Sequence, residues 1–104
     1  MERFAFRMQL KPGMEQEYRR RHDEIWAELV DLLRDAGISD YSIFLDEATL
    51  SLFAVLRLAT PNKRDSLPDH PVMKLWWEAM APLMEVEPNN RPREWPLVPM
   101  FHMA

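Results

Sequence analysis

His22 is the residue best suited to move protons in this 104-residue chain. Its unperturbed pKa lies near neutrality, so one imidazole can take a proton and return it. On a helix, Tyr18 four residues before it and Ile25 and Trp26 three and four after it share its stripe. That stripe sets His22 in the middle of a buried face. The simplest role for a lone histidine there is a core side chain bonded to one carbonyl. Three features nearby suggest more.

Tyr18 and Tyr41 are the only tyrosines, and each brings a flat ring with a hydroxyl that donates or accepts. Tyr18 lies on the face of His22, and Tyr41 opens the strand this face should cover. Trp76 and Trp77 are adjacent on a second helix and point about a quarter-turn apart. One is expected in the core and the other in the seam between helix and sheet. Rings with convergent hydroxyl and imidazole groups suit a sugar, whose C–H face stacks while its hydroxyls need fixed polar partners. Packing alone explains each residue taken singly; together they define one cleft.

Other chemistries find less support. His22, His70 and His102 lie in separate elements without short ligand spacing, so no metal site is expected. Ser39, Ser42, Ser51 and Ser66 lack the elbow context of a nucleophile. Glu15, Glu17, Asp23, Glu24 and Glu28 read as solvated helix charges, not paired catalytic carboxylates.

The elements that position these residues follow from hydrophobic period. Residues 3–10 alternate, with Phe4, Phe6, Met8 and Leu10 on one side, as a strand does. After the Lys11-Pro12-Gly13 break, apolar spacing predicts one helix over 14–36, with Gly37 as a left-handed cap. Residues 41–46 and 50–58 form an antiparallel hairpin. Its second strand is apolar on both faces, with Leu52, Ala54 and Leu56 on one and Phe53 and Val55 on the other. Two helices can cover only one face, so a second copy of the sheet is expected on the other. A second helix starts near Pro71, carries Val72, Trp76, Met80 and Leu83 on one face, and ends near Ala81 because Pro82 follows. Residues 85–94 read as a surface loop, and 97–103 as a last strand with Pro99 at an edge or bulge. The resulting βαββαβ order suits an α+β antiparallel sheet with both helices on one face.

Length sets one domain over residues 1–104. Apolar runs are too short to span a bilayer, and charges interrupt the first seven residues, so neither a membrane segment nor a secretory signal is expected. The lack of cysteine excludes thiolate sites and disulfides, and fits a cytoplasmic location. A net charge of −4 and the single basic run Arg19, Arg20, Arg21 argue against nucleic-acid binding. Gly13 and Gly37 are the only glycines, so no phosphate-cradling loop exists.

The assembled residues resemble the L-rhamnose mutarotase family. Tyr18-Arg19-Arg20-Arg21-His22-Asp23-Glu24-Ile25-Trp26 looks like its helix motif, and Asp40-Tyr41-Ser42-Ile43-Phe44-Leu45-Asp46 looks like its second strand. Trp76 and Trp77, followed by Met80 and Met84, look like its second helix. The similarity runs over nearly the whole chain. It departs at Ala27, where the family usually has proline, and at Pro82. The resemblance implies the ferredoxin-like fold of a homodimeric α+β barrel and an isomerase that exchanges the α and β anomers of L-rhamnose without metal or cofactor. It implies His22 as proton donor, with Tyr18, Tyr41, Trp76 and Trp77 on the sugar. Ring opening needs a base at the anomeric hydroxyl and an acid at the ring oxygen; Tyr18, Tyr41, His102 and a bound water all qualify as the second group. Two alternatives use the same cleft: a cofactor-free monooxygenase, and a non-catalytic small-ligand-binding dimer.

Overall fold

The computed structural model describes residues 2–104. The elements are β1 (Glu2–Gln9), α1 (Glu15–Asp23), α2 (Ala27–Asp35), β2 (Ile38–Asp46), β3 (Ser51–Leu58), α3 (Pro71–Met80) and β4 (Trp95–Pro96), with 3-10 turns at Arg64–Asp69 and Ala81–Leu83. The strands form one antiparallel sheet in the order β2-β3-β1-β4. This is the expected α+β ferredoxin-like arrangement.

Alternation along β1 places Phe6 and Met8 in the core, where they meet Ala54 and Leu52 of β3 across the ladder. Leu29 of α2 and Met73, Trp76, Trp77 and Met80 of α3 close over this inner face. Each fully buried leucine here, such as Leu52 or Leu56, contributes about 1.5–3 kcal/mol relative to exposure. The outer face is not covered: Phe44 is 64% exposed and Val55 37%.

Three elements differ from expectation. The helix predicted over 14–36 is two helices. Trp26 is extended (φ −64°, ψ 133°), and Leu29 and Val30 donate to its carbonyl to start α2. No proline or glycine forces the break. Packing does so, because Trp26 leaves the helical path to set its ring edge-to-face on Trp76, with centroids 5.2 Å apart. Ala27 becomes the first residue of α2, where proline is favoured. That gives a physical reason for the proline the family usually has there.

The last strand is the second difference. Instead of spanning 97–103 it is confined to Trp95–Pro96, with one further bond from the Leu97 N–H to the Ala5 carbonyl at 3.0 Å. Pro96 and Pro99 have no N–H to give, so the ladder stops. Third, β2 begins at Ile38 rather than Tyr41, and a bulge falls between Ser39 and Ser42. Asp40 takes the left-handed conformation there (φ 50°), and its carboxylate lies 3.4 Å from Arg57. Beyond the bulge Ile43 pairs with the fully buried Ala54, so Tyr41 shares its inward side. Gly37 ends α2 at φ 93°, as expected of a left-handed cap; a Cβ there would also press on Asn62 at 3.0 Å.

α3 follows the prediction closely, starting at Pro71 and stopping before Pro82. Its inward face is Met73, Trp76, Trp77 and Met80; Val72 is only half-buried.

Candidate functional site

A cleft of about 960 Å³ opens between the inner sheet face and the helices, and His22, Tyr18, Tyr41, Trp76 and Trp77 all line it. That volume lies at the top of the ~300–1,000 Å³ range of small-molecule pockets.

His22 occupies the last turn of α1, half-buried at the cleft rather than in mid-core. Its helix stripe holds for Tyr18 alone, since Trp26 lies in the break. Nδ1 sits 2.9 Å from the Tyr18 carbonyl. A carbonyl only accepts, so Nδ1 carries the proton, and in the neutral ring Nε2 keeps its lone pair. The Tyr18 ring stacks on the imidazole at 4.3 Å and 29°, and Trp76 meets it edge-on at 5.3 Å and 85°. Burial pushes the His22 pKa down; the Tyr18 carbonyl and Asp23 oppose this. The ring is therefore neutral at pH 7, with an accepting nitrogen.

Both tyrosine hydroxyls are pushed above the ordinary phenol pKa, chiefly by burial, and stay protonated. Tyr18 is 8% exposed and feels Tyr41. Tyr41 is 39% exposed as a whole residue, yet its hydroxyl is desolvated. Glu94 raises its pKa further while Arg64 lowers it. Trp76 and Trp77 are both buried and both reach the cleft, so the expected division into one core ring and one seam ring does not hold.

Sequence reasoning missed the charged wall. Arg64, Arg91 and Glu94 line the cleft, although 85–94 reads as a surface loop. The 85–94 segment folds back on itself through the Glu87 N–H to the Arg91 carbonyl (2.7 Å) and the Arg93 N–H to the Glu85 carbonyl (3.1 Å). Its end carries Glu94 to Arg64, 3.1 Å away. Residues thirty apart in two loops leave no local pattern; only the closed fold pairs them.

The other candidates lie apart. His102, in the C-terminal tail, contacts Arg3 of β1 and does not line the cleft. The His70 ring accepts from the Val72 N–H and caps α3. Among the described residues no three His, Cys, Asp or Glu side chains converge as metal ligands. Glu17 is paired with Arg20 and Arg21, which hold its carboxyl down to about 2.

Fold and site together define a small α+β protein with one half-buried histidine in an aromatic cleft. The comparisons with known proteins make this specific. The family model described as L-rhamnose mutarotase matches residues 3–103. An L-rhamnose mutarotase of Jannaschia sp. (strain CCS1) is 60% identical over 103 residues, 99% of each chain. One of Brucella anthropi is 59% identical over 102 residues, 98% of this chain and 96% of its own. The crystal structure of an L-rhamnose mutarotase from Formosa agariphila superposes with a TM-score of 0.93 at 43% identity over the whole of both chains. This chain belongs to the L-rhamnose mutarotase family. Neither the monooxygenase nor the ligand-sensing alternative finds support among these relatives.

Proposed function

We propose that this chain exchanges the α and β anomers of L-rhamnose, with His22 as the proton-handling group. The observation that carries the role of His22 is the 2.9 Å approach of its Nδ1 to the Tyr18 carbonyl in a residue that lines the cleft: a carbonyl only accepts, so Nδ1 donates and Nε2 is left to accept. Nε2 takes the proton of the anomeric hydroxyl as the C1–O5 bond breaks and the aldehyde forms, while a second group, the Tyr18 or Tyr41 hydroxyl or a bound water, gives its proton to the ring oxygen. The free aldehyde turns about C1–C2, and reclosure on its other face reverses both transfers. His22 thus acts first as base; it becomes the donor implied by the family resemblance once the imidazolium has formed. Tyr18 and Tyr41, kept protonated, supply hydroxyls to hold the ring oxygen. Trp76 and Trp77 offer apolar surface to the sugar's C–H bonds. Positioned proton transfer of this kind is worth about 10²–10⁴-fold.

Saturation-transfer NMR on L-rhamnose tests this directly. His22→Ala is expected to lose catalysed exchange with its circular dichroism intact. Wild-type exchange in that variant removes His22 from the mechanism.

A homodimer is part of this reading. Phe44 and Val55 on the outer sheet face, with Val98, Met100, Phe101 and Met103 at 77–89% exposure in the tail, make an apolar surface suited to a second copy. A cytoplasmic location accords with the absence of cysteine.

A further inference from the structure

We propose that Arg64 and Glu94 form a hydroxyl-binding end of the cleft, with the carboxylate accepting from sugar hydroxyls and the guanidinium donating to their oxygens. This rests on the sugar-exchange function proposed above and names the groups that hold the part of the pyranose remote from C1.

The pair is placed for that task. Arg64 Nη2 meets Glu94 Oε2 at 3.1 Å, with side chains only 18% and 22% exposed, and both residues line the same cleft as His22. The guanidinium carbon lies 4.3 Å from the centroid of the Phe4 ring and 5.6 Å from that of Phe6. One hydrogen bond joins the two side chains. Among the described residues, Glu94 Oε1 and Arg64 Nε and Nη1 make no other bond, and no buried side-chain N or O lacks a partner. Those three atoms therefore remain reachable. Partial burial of two charges for one hydrogen bond is poor compensation for their desolvation, whereas sugar hydroxyls would satisfy the remaining positions.

The polar groups of the cleft are linked by geometry at one end and by their electrostatic influence on one another at the other. The imidazole stacks on Tyr18, Tyr18 is sensitive to Tyr41, and Tyr41 to both Glu94 and Arg64. A sugar with its anomeric carbon at His22 would direct its far hydroxyls toward the ion pair. Arg–carboxylate geometry favours two adjacent hydroxyls, because each partner presents parallel sites.

A purely structural clamp, fastening the 85–94 loop to the Arg64–Asp69 turn, is the competing role. Tryptophan-fluorescence titrations with L-rhamnose and its 2-, 3- and 4-deoxy analogues separate the two. The wild type is expected to bind at least one deoxy sugar about ten- to a hundredfold more weakly than L-rhamnose, as loss of a hydrogen bond to a charged group predicts. Glu94→Gln should weaken L-rhamnose by a similar factor and bind that deoxy sugar no worse than wild type does, raising KM more than it lowers kcat. Arg64→Lys, which retains the charge but not the fork, should blunt the same discrimination and serves if Glu94→Gln fails to fold. Equal weakening of all sugars, undiminished discrimination in a folded variant, or no discrimination by the wild type overturns the proposal. A wild-type chain that neither binds nor exchanges L-rhamnose overturns the functional reading beneath it as well.

Discussion

The two faces of the sheet are built from the same strands and have opposite fates. On the inner face Phe6, Met8, Leu52, Ala54 and Leu56 are sealed under helices, with an aromatic cleft left open at the side. On the outer face Phe44 and Val55 meet solvent, and Arg7 lies 4.0 Å from the centroid of the Trp95 ring. A strand's period of two generates both faces at once, so the outer apolar residues need a use of their own. The contrast suggests a division of labour: chemistry inside, pairing outside.

Several measurements break or sharpen that division. The largest effect belongs to the inner face. Losing the imidazole in His22→Ala should cost catalysed exchange about 10²–10⁴-fold, read by saturation-transfer NMR, with the melting curve little changed. Next comes Trp77→Ala. Because Trp77 is buried with the core, its loss should cost about 3–5 kcal/mol in chemical denaturation. That makes Tyr18→Phe, which removes one hydroxyl, the cleaner probe of sugar binding. On the outer face, Phe44→Glu should convert a dimer to monomers in analytical ultracentrifugation while the cleft keeps its rhamnose-induced fluorescence change. A wild-type chain that sediments as a monomer ends the pairing half of the comparison.

A pH series gives a smaller effect. His22 has a lowered pKa in the fold, so below about pH 6.5 the unfolded chain binds a proton that the folded chain resists. Stability from this group is complete above that pH and declines as pH falls toward the folded pKa. Exchange should decline as pH falls through the lowered pKa of the folded ring and Nε2 becomes protonated. An acid limb at or above the ordinary imidazole pKa would contradict a neutral, desolvated ring. The smallest effect is a gain: Ala27→Pro should stabilise by about 0.4–1 kcal/mol in thermal melts. Trp26 already has the extended backbone a following proline demands, and the proline would fall at the first helical position. Destabilisation would show that the break between α1 and α2 is held differently.

What could be read from residues alone divides along physical lines. Strand alternation in β1 and β3, the proline limits of α3 and the glycine cap at Gly37 are local signals, and the fold obeys them. His22, Tyr18, Tyr41, Trp76 and Trp77 came from residue type and family resemblance, and one cleft gathers all five. The break at Trp26 was hidden because residues 24–27 carry good helical chemistry, and only the Trp76 ring in α3 draws Trp26 aside. The 97–103 segment has strand-like composition, but edge prolines deny it a ladder. Arg64 and Glu94 were invisible as a pair because charge in a loop ordinarily signals solvent.

The extra residue at Asp40 makes the register of β2 a chemical variable. Ser39 stands opposite Arg57, and the next paired residue, Ser42, stands opposite Val55. Were the Ser39 register to run on without the bulge and with no residue removed, Tyr41 would itself fall opposite Val55, turned to the outer side of the sheet. Every side chain named for the cleft would still be encoded, yet its rim would lack a hydroxyl. The bulge, and not the tyrosine alone, decides which face of the sheet that hydroxyl serves.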